Sequence, residues 1–131
     1  MVYSLDFVVR DYECDLQGIV NNANYQHYYE HTRHQFLLEN NISFAELHSM
    51  KIDFVVARAY MVFKRPLRSG DKFVSELSLK QDGVKYIFYQ KIYSLPDHKL
   101  CNSAQFDCVC LIDGKLSVCQ LLDDFVSKFT E

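Results

Sequence analysis

One segment of the sequence is long and regular enough to set the layout of the whole chain. Residues 22–40 contain neither Pro nor Gly, and nineteen helical residues extend over about 28 Å, the width of a small domain. The side chains that recur at the spacing of one helical face are Tyr25, Tyr29, Thr32, Phe36 and Leu37. We therefore predict one long helix, capped by Asn21 or Asn22 and ended by a left-handed turn at Asn40-Asn41.

The rest of the chain consists mainly of segments with the alternation or the aromatic and β-branched content of strands. Asp82-Gly83 and Asp113-Gly114 are two-residue hairpin signals between such segments. The predicted strands are 3–9, 54–64, 71–80, 84–95, 100–112 and 115–121, and short helices are predicted at 43–48, with Ser43 as cap, and at 123–129. This order predicts an α+β fold in which one long helix packs on one face of a five- to six-stranded antiparallel sheet.

Length and composition indicate a single domain covering 1–131. Of the 131 residues, 49% are hydrophobic, so the chain can bury one core without disulfides. Its five cysteines are odd in number and irregularly spaced, and we interpret them as reduced thiols. Because one helix covers only part of such a sheet, we expect a second copy to cover an edge strand, in a homodimer or a homotetramer.

Charge and hydropathy argue against two classes of partner. The chain has 14 Lys and Arg residues against 17 Asp and Glu residues, so no general positive field exists for nucleic acid. No apolar run approaches the roughly 18 residues of a membrane span, and Asp6 and Arg10 interrupt the N-terminal stretch that could imitate a signal peptide. We expect a cytoplasmic protein.

The segment 15–25 places a carboxylate, Asp15, seven residues before the predicted start of the long helix. The first N–H groups of a helix lack partners within it and carry the positive end of its dipole, so they can stabilise negative charge developing on a carbonyl oxygen. A nearby carboxylate can attack an activated acyl carbon, or activate water to do so. From the residues alone, Asp15 can instead cap the helix or order its loop.

The residues around this acid resemble a family signature. The segments 9–15 and 18–25, with the downstream turn 66–74, are similar to hot-dog-fold thioesterases of the 4-hydroxybenzoyl-CoA thioesterase type. Helix residues 28–37 add a resemblance to the plant acyl-lipid (acyl-ACP) thioesterases and their bacterial relatives, which covers nearly the whole chain. The resemblance implies a hot-dog fold, in which the sheet wraps one long helix, and hydrolysis of acyl-CoA or acyl carrier protein (acyl-ACP) thioesters without a cofactor.

The resemblance also implies residue roles. The catalytic aspartate corresponds to Asp15, as nucleophile or as general base, and the oxyanion-hole amide corresponds to the backbone N–H of Asn22. Gly18 would let the loop bend tightly, and Asn24 with Tyr25 would fix the helix start against the sheet; these three residues are the candidate substrate-binding residues of the loop and helix start. Several bacterial relatives carry His at the position of Asn22, so a role for an imidazole is not transferred to this chain.

A basic cluster lies on the turn between the predicted strands 54–64 and 71–80, and it consists of Lys64, Arg65, Arg68 and Lys72. Within it, Arg65 and Arg68 are candidate contacts for the phosphates of CoA or of a phosphopantetheine arm, and a solvated turn is the alternative. His27, His31 and His34 on the helix lack the pattern of a zinc site, so no metal is predicted. The function predicted from the sequence is therefore acyl thioester hydrolysis, and the alternative is a non-catalytic acyl-thioester-binding protein on the same fold.

Overall fold

The alternating segments form one antiparallel sheet. The computed structural model describes residues 2–130. Strand β1 (Tyr3–Val8) leads through a 3-10 turn (Asp11–Glu13) to helix α1 (Asn22–Glu39) and the short helix α2 (Phe44–Ser49). The later elements are β2 (Ile52–Phe63), β3 (Lys72–Asp82), β4 (Lys85–Leu95), β5 (Leu100–Ile112), β6 (Lys115–Ser117) and α3 (Gln120–Thr130).

The strand order in the sheet is β1-β3-β4-β5-β2, and β6 adds a short pairing with β5. The β3–β4 and β5–β6 pairs are hairpins at the two predicted Asp-Gly turns. Strands β1 and β2 lie at opposite ends of this order. The fold is therefore the predicted α+β arrangement of one long helix and a six-stranded antiparallel sheet.

Helix α1 packs on the sheet through the predicted stripe. Its buried residues are Tyr25, Tyr28, Tyr29, Thr32, Arg33, Phe36 and Leu37. Among the side-chain hydrogen bonds that fix the helix on the strands, the Tyr29 hydroxyl donates to Asn102 Oδ1 at 2.7 Å, and Thr32 Oγ1 lies 2.9 Å from Ser75 Oγ. Each fully buried aromatic side chain stabilises the fold by about 1.5–3 kcal/mol, so packing rather than helix propensity holds α1 in place.

Strand β2 is an unusually exposed apolar edge. Its burial pattern is intermediate at the start and mostly exposed thereafter. The exposed large apolar side chains on this strand are Val55, Val56, Tyr60, Val62 and Phe63. A long edge strand of this kind presents both unpaired backbone groups and an apolar surface.

The predicted helix caps are present. Asn21 is the N-cap of α1, and its side chain accepts a hydrogen bond from the Ala23 N–H at 3.0 Å. Ser43 caps α2, and Asn41 has the left-handed φ of 65° expected at the end of α1. Among residues 2–130, no helix combines the length and the apolar character that crossing a membrane requires.

One predicted strand was wrong in extent. Strand β6 covers only Lys115–Ser117, whereas the sequence predicted 115–121. Residues 120 and 121 belong to α3, which starts three residues earlier than predicted. The cause is tertiary, because Cys119 N–H and the Asp123 carboxylate both bond the Tyr86 hydroxyl and thereby dock the start of α3 on β4.

Candidate active site

The loop between β1 and α1 is a tight, hydrogen-bonded turn. Asp15 N–H donates to Ile19 O at 2.9 Å, and Gly18 N–H donates back to Asp15 O at 3.0 Å. Val20 N–H then donates to Leu67 O at 2.8 Å, which attaches the loop to the connection between β2 and β3. Gly18 has a φ of 79°, a left-handed value that glycine adopts without strain.

Asp15 is exposed at the tip of this loop. Its Oδ1 accepts a hydrogen bond from Gln17 N–H at 2.9 Å, the arrangement of an Asx turn. Asp15 does not line the cavity at the helix start. Within a single chain, therefore, the Asp15 carboxylate orders its own loop and is open to solvent.

The start of α1 offers a free amide. The Ala23 N–H is bonded to the Asn21 side chain, and the Asn24 N–H donates to Asn21 O at 2.9 Å. No acceptor within residues 2–130 contacts the N–H of Asn22, the first residue of the helix. This amide lies at the positive end of the helix dipole and has its hydrogen-bonding capacity available for a ligand oxygen.

Glu13 joins the loop to the helix, a role that the sequence analysis missed. Its backbone O accepts from Asn21 N–H at 3.0 Å and from Asn24 Nδ2 at 2.7 Å. Its carboxylate Oε1 accepts from Arg10 N–H at 2.8 Å and from the Tyr28 hydroxyl at 2.9 Å. Burial, and then the hydrogen bond to Glu13, raise the pKa of Tyr28 well above its ordinary value, so this hydroxyl stays a donor.

A cavity of about 250 Å³ opens at the free amide. Its lining comprises Ile19, Val20, Asn22, Tyr25, Phe63, Lys64, Arg65 and Pro66. The rings of Tyr25 and Phe63 meet edge to face, with centroids 5.6 Å apart. Desolvation raises the pKa of the Tyr25 phenol, so this wall is neutral. A larger depression of about 500 Å³ lies between β1 and α1, but the Asn22 amide does not line it.

The basic residues divide between the cavity and its surroundings. The N–H groups of Lys64 and Arg65 both donate to Cys101 O, at 2.8 and 3.0 Å, which holds this pair at the cavity. Arg68 does not line the cavity; its N–H donates to Asp71 Oδ2, and its guanidinium lies next to Gly18. The structure thus brings Asn22, Tyr25 and Arg65 together and leaves Asp15 and Arg68 outside the lining.

The arrangement of one long helix on an antiparallel sheet matches a known class of proteins. The chain belongs to the thioesterase-like superfamily, whose family model matches residues 9–129. The fold is the hot-dog fold predicted from the resemblance. It superposes on the crystal structure of Slr0204, a 1,4-dihydroxy-2-naphthoyl-CoA thioesterase from Synechocystis, with a TM-score of 0.92 at 16% identity, over 100% of this chain and 99% of that one.

Relatives that are similar in sequence include a plant and a bacterial protein. The chloroplastic acyl-acyl carrier protein thioesterase ATL3 of Arabidopsis thaliana is 34% identical over 97% of this chain, which spans 67% of that protein's length. The acyl-CoA thioester hydrolase YbgC of Escherichia coli is 25% identical over 91% of this chain and 89% of its own. The family and the names of these relatives support thioesterase activity on acyl thioesters, and one name specifies acyl carrier protein where the other specifies CoA.

Proposed function

We propose that this chain hydrolyses acyl thioesters of CoA or acyl carrier protein at the cavity where α1 begins. The observation that carries this proposal is Asn22, a residue that lines the cavity and whose N–H is free and lies at the positive end of the helix dipole. It would donate a hydrogen bond to the thioester carbonyl oxygen and stabilise the oxyanion that forms when the carbonyl carbon is attacked. A backbone donor needs no rearrangement at that moment, because hydrogen bonds on both sides of it already hold the helix start.

Asp15 supplies the attack in this proposal. As nucleophile, one carboxylate oxygen would bond to the carbonyl carbon, the C–S bond would break to release the thiol, and water would hydrolyse the mixed anhydride. As general base, the carboxylate would accept a proton from the water that attacks the carbonyl carbon directly; the C–S bond would then break, and the leaving thiolate would take up that proton. Both routes require the Asp15 side chain to leave its hydrogen bond with Gln17 N–H and turn towards the cavity.

In this proposal, Arg65 and Lys64 contact the carrier of the acyl group. They line the same cavity as Asn22, so a thioester held at the helix start would extend its pantetheine arm past them. Their positive charge suits the phosphates of CoA and the phosphate of a carrier-protein arm alike. Arg68, beside Gly18, would contact the same arm further out.

A second copy would complete the cavity. The exposed apolar edge of β2 fits antiparallel pairing with another β2, and Phe63 at the end of this edge lines the cavity. We expect a homodimer, or a tetramer of two such pairs, by light scattering. Val62→Lys on the β2 edge should dissociate it, whereas Leu116→Lys, which charges an exposed apolar site on β6, should not. Parent-like mass for both variants would contradict this assembly.

The position of Asp15 favours one alternative. Because its carboxylate is bonded within its own loop and lies outside the cavity lining, a non-catalytic acyl-thioester-binding protein would have the same geometry. The test is thiol release from a panel of acyl-CoA and acyl carrier protein thioesters. Turnover on either carrier supports the proposed hydrolase, and binding of the same thioesters without turnover supports the alternative.

A further inference from the structure

A buried side-chain amide behind the cavity has no partner for its N–H groups. Asn102 on β5 is 0% exposed, and its Oδ1 accepts from the Tyr29 hydroxyl at 2.7 Å. Its Nδ2 is the buried side-chain polar atom that lacks a hydrogen-bond partner in the part of the chain that the structure describes. A buried donor left unpaired is destabilising, so its presence needs an explanation from outside the chain's own contacts.

The cavity wall separates this donor from the Asn22 amide. Asn102 pairs directly with Phe63 across β5 and β2, so the two side chains stand on the same sheet face with Cβ atoms about 5 Å apart. Phe63 lines the cavity and closes it against the ring of Tyr25. Phe63 is 51% exposed in the single chain, and a turn of its ring away from α1 would open the cavity towards Asn102.

The spacing along α1 gives the axial separation between Asn22 and the residue that holds Asn102. Tyr29, which holds Asn102, follows Asn22 by seven residues, about 10 Å along the helix. With bonds of about 1.5 Å in a zigzag chain, roughly six to eight acyl carbons span that distance from a carbonyl held at Asn22. An oxygen on the third acyl carbon would lie well short of Asn102.

We propose that Asn102 determines specificity by donating from Nδ2 to an oxygen in the middle of the acyl chain. The inference rests on the proposed function, because a thioester held at the Asn22 amide sets the direction of the chain. The preferred substrates are then acyl thioesters with an oxo or hydroxyl oxygen roughly six to eight carbons along, and plain alkyl chains of the same length are poorer substrates. The Phe63 ring turns aside to admit this part of the chain.

The test compares thioesters that differ only in that oxygen. Octanoyl, 3-oxooctanoyl and 7-oxooctanoyl thioesters are assayed on CoA and on carrier protein with the parent chain, Asn102→Leu and Ser75→Ala. The parent should show a kcat/KM about tenfold or more higher for the 7-oxo chain than for octanoyl, the effect of one buried hydrogen bond, and no such gain for the 3-oxo chain. Asn102→Leu should abolish the preference. Ser75→Ala, which removes a buried hydrogen bond to the same helix away from the cavity, should retain it.

If circular dichroism shows that Asn102→Leu does not fold, the deciding experiment is a scan of the oxo position along the acyl chain with the parent protein. A maximum of kcat/KM at carbons 6 to 8 supports the proposal, and a flat profile overturns it. Equal parent rates on octanoyl and 7-oxooctanoyl thioesters, or a preference that survives in folded Asn102→Leu, also overturn it while leaving the hydrolase in place. Turnover of none of these thioesters would instead overturn the proposed function, and this inference with it.

Discussion

Asn22 and Asp15 lie seven residues apart in the chain, and their surroundings are opposite. The backbone around Asn22 is fixed by the Asn21 cap, by two hydrogen bonds to Glu13 O and by the buried ring of Tyr25. Asp15 stands in solvent, and the partner of its carboxylate is the N–H of Gln17 two residues away. One half of the candidate site is held by tertiary contacts, whereas the other is held by a local turn.

This difference separates two requirements of the proposed reaction. An amide that stabilises an oxyanion must be rigid, since its value comes from orientation fixed in advance. A carboxylate that attacks or accepts a proton must change its contacts during the reaction, and an exposed loop position permits this. The predictions below test whether the exposed half and the fixed half both serve the same chemistry.

The largest expected effect is that of Asp15→Asn. The amide cannot act as nucleophile or base, so kcat/KM for acyl thioesters should fall by about 10³-fold or more, measured by thiol release. Stability should change by less than about 0.5 kcal/mol, because the site is exposed and Asn can still accept from Gln17 N–H. Asp11→Asn is the matched control, an exposed acid of the same loop that accepts from Tyr12 N–H, and it should keep parent activity. Parent rates in Asp15→Asn would remove Asp15 from the mechanism.

Glu13→Ala tests the connection between the two halves. It removes the acceptor for Arg10 N–H and for the Tyr28 hydroxyl, and should cost about 2–3 kcal/mol in thermal or denaturant unfolding. Activity should fall about tenfold, because the loop that carries Asp15 loses its side-chain attachment to the helix and keeps only the bonds to Glu13 O. Glu13→Gln keeps an oxygen acceptor and should recover most of both losses. Unchanged stability in Glu13→Ala would show that this carboxylate does not hold the loop.

Gly18→Ala has the smallest expected effect. The nearest atom to an added Cβ is Arg68 Nη1 at 4.0 Å, so the cost comes from the φ of 79° and should be about 1–2 kcal/mol. Gly114→Ala has a similar φ of 77° in the β5–β6 hairpin, far from the site in sequence, and should cost about as much without loss of activity. A several-fold loss of kcat/KM only in Gly18→Ala would tie loop shape to catalysis. Equal kcat/KM in both variants would indicate that the loop tolerates the change.

The sequence predicted the fold through features that act locally. The long helix was predicted from the lack of Pro and Gly in 22–40, the helix starts from the Asn21 and Ser43 caps, and two hairpins from their Asp-Gly pairs. Each of these signals depends on residues close together in the chain. The structure contains the helix, the caps and the hairpins. The start of α3 was misplaced because Tyr86, on a different strand, bonds Cys119 and Asp123. No local pattern at residues 115–121 contains that contact.

The candidate site was predicted only in part for the same reason. Asn22, Gly18 and Tyr25 were identified through a motif that is contiguous in the chain. Glu13 and Tyr28 are 15 positions apart in the chain, and Asn102 and Tyr29 are 73 positions apart. Their contacts could therefore be identified only in the packed structure. The acidic side chain at Glu13, two residues before Asp15, was visible in the sequence, but nothing there indicated its partners.

The most direct test of the central claim removes one hydrogen-bond donor, the Asn22 N–H, from the start of α1. Proline is favoured at the first position of a helix, and Asn21 already has the extended backbone (φ −62°, ψ 139°) that precedes it, so Asn22→Pro should fold while lacking the amide N–H. Asn22→Ala, which keeps that N–H, is the control. The account predicts that kcat for acyl thioester hydrolysis falls about 10²–10³-fold in Asn22→Pro with KM within a few-fold, and stays near the parent value in Asn22→Ala. Equal kcat in the two variants would contradict it.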